Sequence, residues 1–207
     1  MSTPHLDPRS PPEPLILAST SRYRKELVER LHLKFETRAP LADEAALKTE
    51  WTPLGLGPER LAERLAIAKA ESLKATCPGA WIIGSDQLVD LDGEILGKQP
   101  DFRSACDQLM KLSGREHRLI TAVALAHSAH KTELFTDITR LKFRLLTREE
   151  IERYVETEKP YDCAGTYKIE GLGIRLLKSL ETQDPTAIIG LPLIRLSDEL
   201  RLRGYAL

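Results

Sequence analysis

Leu15-Ile-Leu-Ala-Ser-Thr-Ser-Arg-Tyr-Arg-Lys-Glu-Leu27 is the stretch that decides how this chain folds. Four apolar residues, too few for a helix, run into three hydroxyl-bearing ones, and Leu27, Val28 and Leu31 then recur at helical spacing. The reading is strand, tight loop, helix. A helix start carries partial positive charge and ordinarily gathers acidic side chains, yet Arg22, Arg24 and Lys25 occupy this one. The pattern makes sense where free N–H groups, the hydroxyls of Ser19 and Ser21 and the basic side chains converge on an anion such as a polyphosphate. A plain Ser21 N-cap with solvated charges accounts for the same residues.

Outward from this unit, residues Phe35 to Arg38 read as a second strand and Asp43-Glu44 as an acidic loop. A helix is expected from Pro58 to about Thr76, with Leu61, Leu65, Ala68 and Ser72 along one face. Ala80-Trp-Ile-Ile83 is an apolar strand running into Gly84-Ser85-Asp86-Gln87. Leu88 to Leu91 then continues extended to a turn at Asp92-Gly93. Further on come a helix over Phe102 to Leu112, two β-rich segments (His117 to Ala126 and Leu134 to Leu145) and a helix capped by Thr147. A glycine-punctuated stretch from Gly165 to Gly173, a strand through Leu180 and a helix after Gly190-Leu-Pro192 complete the chain. Helices interleaved with strands imply one α/β domain with a mixed sheet.

With 207 residues the chain suits a single core better than two domains. Met1 to Pro14 holds five of the 13 prolines and no apolar run, so a flexible tail over 1–14, without a signal peptide, is expected ahead of a domain over 15–207. Thirty basic against 31 acidic residues leave no global charge to attract nucleic acid or an anionic membrane. Nor does any run approach the roughly 20 apolar residues that span a bilayer. Cys77, Cys106 and Cys163 are odd in number and far apart, which reads as reduced cytoplasmic thiols.

Several further residues bear on chemistry. Asp86, where a buried strand stops, occupies a position that α/β proteins often use for function; a turn residue is the plainer account. Asp43-Glu44 offers oxygen ligands for a hard divalent cation such as magnesium, or is simply solvated. Lys69 lies on or beside the inward face of its helix, either snorkelling or reaching toward phosphates. Gly93 to Gly97 followed by Lys98 is one residue too short for a P-loop, and Gln99 replaces the required hydroxyl. Zinc is not expected, because His127 and His130 form the only close histidine pair.

These signals occur in a distinctive order: the opening stretch, Asp43-Glu44, Leu65-Ala-Ile-Ala-Lys-Ala70, Ile83-Gly-Ser-Asp-Gln87, Leu91-Asp-Gly-Glu-Ile-Leu-Gly-Lys98, Leu112-Ser-Gly-Arg115 and Gly190-Leu-Pro192. Together they resemble the Maf family of nucleotide pyrophosphatases from about Leu15 to the C-terminus. The resemblance implies a two-lobed mixed-sheet α/β fold like that of inosine triphosphate pyrophosphatases, with a central cleft, and a cytoplasmic homodimer. It implies cleavage between the α and β phosphates of a nucleoside triphosphate with a divalent metal, magnesium or manganese. By motif position, Ser19, Ser21 and Arg24 match the phosphate-binding loop, Lys69 and Lys98 the phosphate-side lysines, and Glu44 the metal-site acid. Asp86 matches the proton acceptor, with metal ligation as the alternative. Arg22 stands where the family normally has proline.

Tyr23, Gln87 and Glu170 look like the positions that separate the family's branches. The pyrimidine branch carries arginine, threonine and glutamine there, whereas an aromatic, glutamine and glutamate resemble the branch acting on N7-methyl-GTP. Physical chemistry agrees, since N7 methylation makes the purine cationic. Stacking on Tyr23 then gains a cation–π component of roughly 0.5–2 kcal/mol, and Glu170 supplies a charged acceptor. The alternatives are a dTTP/UTP pyrophosphatase or a nucleotide-binding regulator of cell division that does not turn over.

Overall fold

A computed structural model describes residues 12–207. The tail expected over 1–14 therefore lies outside the described residues except for its last three. Of these, Glu13 and Pro14 are already tied down: the Tyr205 hydroxyl donates to the Glu13 carbonyl at 2.7 Å and the Trp81 amide to the Pro14 carbonyl at 2.9 Å.

The strands are β1 (Leu15–Ala18), β2 (Glu36–Arg38), β3 (Trp81–Leu91), β4 (Glu94–Leu96), β5 (Glu116–His127), β6 (His130–Phe143) and β7 (Leu177–Glu181). The helices are α1 (Arg22–Glu29), α2 (Glu44–Trp51), α3 (Pro58–Glu71), α4 (Phe102–Leu112), α5 (Arg148–Glu158) and α6 (Leu193–Arg201). All seven strands form one mixed sheet in the order β2-β1-β3-β5-β6-β7, with β4 paired to β3. β1 runs parallel to β2 and β3, and the remaining pairs are antiparallel. Asp92 and Gly93 take φ of 53° and 90°, the left-handed values that a two-residue hairpin turn requires.

Three apolar clusters divide the molecule into two lobes. On one face of β1, β3 and β5, Ile16, Ile82, Ile120 and Ala124 pack on Leu61, Leu65, Ala66 and Ala70 of α3. On the other, Leu17, Ile83 and Val123 meet Leu27 and Val28 of α1 and Leu196 and Leu200 of α6. Each fully buried leucine here contributes about 1.5–3 kcal/mol by leaving water. The second lobe packs α4 and α5 through Leu109, Leu112, Ile151 and Val155 onto Val89, Leu119, Leu141 and Phe143. β3 and β5 pass through both lobes.

Two expectations need correction. Asp43-Glu44 does not form a loop, because Asp43 caps α2 by accepting from the Ala46 amide at 3.0 Å and Glu44 is the first helical residue. Nor does a strand stop at Asp86. β3 is continuous through it, paired residue for residue with β5 (Asp86 opposite Ala122). What stops is the parallel neighbour, whose last pair is Ala18 with Gly84, so Asp86 lies just past the carboxyl end of the parallel part of the sheet.

Candidate active site

Alternation along β3 sorts the site, since successive side chains point to opposite faces. Gly84 and Asp86 face α3, while Ser85 and Gln87 face the loop before α6. Gly84 lets α3 come close: a Cβ there would lie 2.6 Å from the Ala70 amide nitrogen and 2.8 Å from the Ala70 Cβ, and would also strike the Ala66 carbonyl. That approach carries Lys69, on the same helix, onto the next residue of its face of β3. Lys69 Nζ sits 2.5 Å from Asp86 Oδ1 and 2.6 Å from Glu44 Oε2, with the Ser85 carbonyl at 3.4 Å. Lys69 is 7% exposed and Asp86 3%, so the lysine is an inward-pointing charge, not a snorkelling one.

Lys69 therefore bridges two carboxylates from different elements. Glu44 Oε1 also takes Lys48 Nζ at 2.6 Å. Burial pushes the Glu44 carboxyl up, but Lys69 and Lys48 outweigh it and bring it down to about 2. Asp86 Oδ2 is buried without a hydrogen-bond partner, an exception among buried polar atoms that calls for a ligand or a chemical role.

On the opposite side, Ser21 caps α1 by accepting from the Arg24 amide at 3.4 Å, and its own amide donates to Ser19 Oγ at 3.1 Å. Arg24 Nε and Ser85 Oγ both donate to the Gly190 carbonyl, at 3.1 and 3.0 Å. Gly190 has φ of 133°, where a side chain is strained and would press on Arg24. Burial lowers the Arg24 pKa, with Asp86 and Glu44 pulling the other way. Gln87 Nε2 donates to the carbonyls of Ala187 and Ile188 at 2.9 and 3.1 Å and lies 3.0 Å from Thr121 Oγ1, fixing the turn that walls the cleft.

Two adjoining cavities share Ser21, Tyr23, Arg24, Lys98 and Asp162. One is polar, with Ser19, Glu44 and Lys69. The other also has Leu119, Tyr167, Ile169 and Ile188, together with Gln87 and Glu170. Every phosphate- and base-side residue expected from the sequence thus lines one cavity or both, but Asp86 lines neither and sits behind Lys69. Tyr23 is more constrained than expected. The Arg22 guanidinium lies 4.7 Å from its ring centroid, Arg22 Nη2 donates to its hydroxyl at 2.9 Å, and that hydroxyl donates to Asp162 Oδ2 at 3.3 Å. One ring face is therefore taken by the residue that replaces proline. Sequence reasoning missed Asp162 and Lys48; Ser85 and Gly190 were visible only as parts of motifs.

The family model described as Maf-like protein matches residues 14–203. The chain belongs to the Maf-like family. Curated relatives of this Maf-like chain include a 7-methyl-GTP pyrophosphatase of Xanthomonas oryzae pv. oryzae, 47% identical over 193 residues, covering 93% of this chain and 98% of the relative. Proteins of the same description from Bdellovibrio bacteriovorus and Bordetella pertussis are each 48% identical. They cover 90% and 92% of this chain, and 95% and 92% of their own lengths. Among solved structures, a nucleoside-triphosphatase (dITP/XTP pyrophosphatase) from Mycobacterium abscessus aligns over 91% of this chain and 94% of that one, with 15% identity and a TM-score of 0.43. That likeness is too loose to carry a functional inference. Among the described residues no helix is long and apolar enough to cross a membrane, and no group of three or more His, Cys, Asp or Glu gathers around a metal-sized space.

Proposed function

We propose that this chain hydrolyses the α–β anhydride bond of a nucleoside triphosphate, releasing the monophosphate and pyrophosphate, with N7-methyl-GTP preferred. The observation that carries this is the pair of joined cavities that share Arg24 and Lys98: one adds Ser19 and Lys69, and the other adds the side chains of Leu119, Tyr167, Ile169 and Ile188 together with Gln87 and Glu170. Hydroxyl and basic groups on one side, and aromatic and aliphatic side chains with the polar Gln87 and Glu170 on the other, suit the two ends of a nucleotide. The descriptions of the curated relatives support the base, as does the presence of Tyr23 in the lining of both cavities.

Magnesium or manganese needs only one or two carboxylates when phosphates and water complete its shell. The donors fit: Glu44 and Asp86 converge on the single ammonium of Lys69, and Asp86 Oδ2 is unpartnered. Glu44 would hold the cation, which would neutralise charge developing on the phosphates, with Asp86 as the second ligand in the alternative where it is not the proton acceptor. Arg24, Lys98 and the amides at the start of α1 bind and orient the polyphosphate. Lys69 turns from Asp86 to the incoming phosphates, which uncovers the carboxylate. Asp86 then takes a proton from water as the water oxygen bonds to phosphorus and the bridging P–O bond breaks, with pyrophosphate leaving. Family resemblance supports a homodimer as the working form, and the three unpaired cysteines support a cytoplasmic location.

Product analysis tests the reaction type. Incubation with N7-methyl-GTP and magnesium should yield equimolar monophosphate and pyrophosphate. Diphosphate with inorganic phosphate, or no product with any nucleotide and any divalent cation, would overturn the proposal.

A further inference from the structure

Gln108 points inward from α4 and is 7% exposed. Its Nε2 donates to the Gly97 carbonyl at 2.9 Å and to Thr166 Oγ1 at 3.0 Å, and its Oε1 accepts from Gln99 Nε2 at 2.8 Å. Gly97 and Gln99 are the residues on either side of Lys98. The segment 97–101 belongs to no helix or strand, so no ladder fixes the backbone that carries this lysine. A buried side-chain amide, satisfied on both ends, does so instead.

The third partner leads to the other cavity. Thr166 is fully buried at φ 61°, a region that β-branched residues avoid, and follows Gly165 at φ 71°. The strained turn it belongs to presents Cys163, Ala164 and Tyr167 to the cavity that Gln87 and Glu170 also line. One side chain thus grips both the segment bearing Lys98 and the turn that shapes the base pocket.

We propose that Gln108 is a positioning residue, which sets Lys98 against the phosphates and fixes the phosphate side of the cleft relative to the base side. It acts through the Gly97 and Gln99 contacts and through Thr166, and touches no substrate. The inference rests on the phosphohydrolase reading above. Its physical content is pre-organisation: a lysine on an unanchored segment must be ordered at each binding event, and small misplacements of a charged group are costly.

The test is a double-mutant cycle on kcat/KM for pyrophosphate release, using wild type, Gln108→Met, Lys98→Ala and the double variant. Methionine keeps the length of glutamine and its packing but cannot donate. Gln108→Met is expected to lower kcat/KM by about five- to twentyfold in the wild-type background and by less than about twofold where Lys98 is already gone. The same factor in both backgrounds would show a merely structural role and overturn the proposal. Should Gln108→Met fail to fold in a thermal melt, Gln99→Ala removes only the outer hydrogen bond and carries the same cycle with a smaller loss, about two- to fourfold. If wild type releases no pyrophosphate from any nucleotide, the function fails independently. The four proteins are then compared by calorimetric titration with inorganic pyrophosphate, where a loss confined to the Lys98 background upholds the positioning and an additive loss refutes it.

Discussion

Gly84→Ala isolates the contact that assembles the site. The added Cβ would sit 2.6 Å from the Ala70 amide nitrogen and closer still to the Ala66 carbonyl, both backbone atoms of α3. No side-chain rotation relieves such an overlap, so the helix must back away by about 1 Å to restore an ordinary 3.4 Å contact. Overpacking of this kind costs about 1–3 kcal/mol, and in a chain of this size each kcal/mol lowers Tm by about 2–4 °C. The same shift pulls Lys69 off Asp86, now 2.5 Å away, and misplacement of a charged group by about 1 Å costs about a hundredfold in rate. A Tm lowered by roughly 2–12 °C should therefore accompany a loss of kcat/KM far larger than the unfolded fraction explains. Differential scanning calorimetry and pyrophosphate release measure the two. Wild-type Tm together with wild-type kcat/KM would refute the close approach of α3 to β3 and the placement of Lys69 derived from it.

Asp86→Asn should lower kcat by about 10²–10⁴-fold while the chain stays folded and binds nucleotide, because Lys69 keeps Glu44 at 2.6 Å and is not left an unpaired buried charge; near-wild-type kcat would reject Asp86 as the proton acceptor. Activity should vanish in excess chelator, and Glu44→Gln should raise the magnesium concentration for half-maximal rate by about tenfold or more, whereas full activity in chelator would remove the metal from the account. Acid should weaken the fold through His117, whose burial lowers its pKa from 6.5 to about 4. The unfolded chain takes up that proton near pH 6.5 and the folded one resists until about 4, so this contribution is whole above pH 6.5 and declines by about 3 kcal/mol as pH falls to 4. Chemical denaturation at pH 7, 5.5 and 4 should show the decline, and a His117→Phe variant, suited to the edge contacts with Phe143 and Tyr167, should flatten it.

What the sequence made legible was local. Ser21, Pro58 and Thr147 announced their helices because capping chemistry acts within a turn, and the apolar period of α3 placed Lys69 inward because burial follows that period. Helix α2 was missed for the converse reason: none of its residues is buried, so no period marks it. The place of Asp86 within β3 depends on pairing with β5, more than thirty residues away in the chain. Ser85 with Gly190, Tyr23 with Asp162 and Gln108 with Gly97 likewise join distant segments through hydrogen bonds that leave no periodic trace. Arg22 was noticed as a departure from proline, but that its guanidinium covers one face of Tyr23 is a matter of side-chain conformation.

The choice of base is the central claim, and a direct comparison of kcat/KM for N7-methyl-GTP, GTP, dTTP and UTP at one magnesium concentration tests it most directly. The cavity lined by both Tyr23 and Glu170 predicts N7-methyl-GTP first, ahead of GTP by about tenfold for a gain of about 1.4 kcal/mol from the ring's positive charge. A higher kcat/KM for dTTP or UTP than for the methylated purine would contradict it.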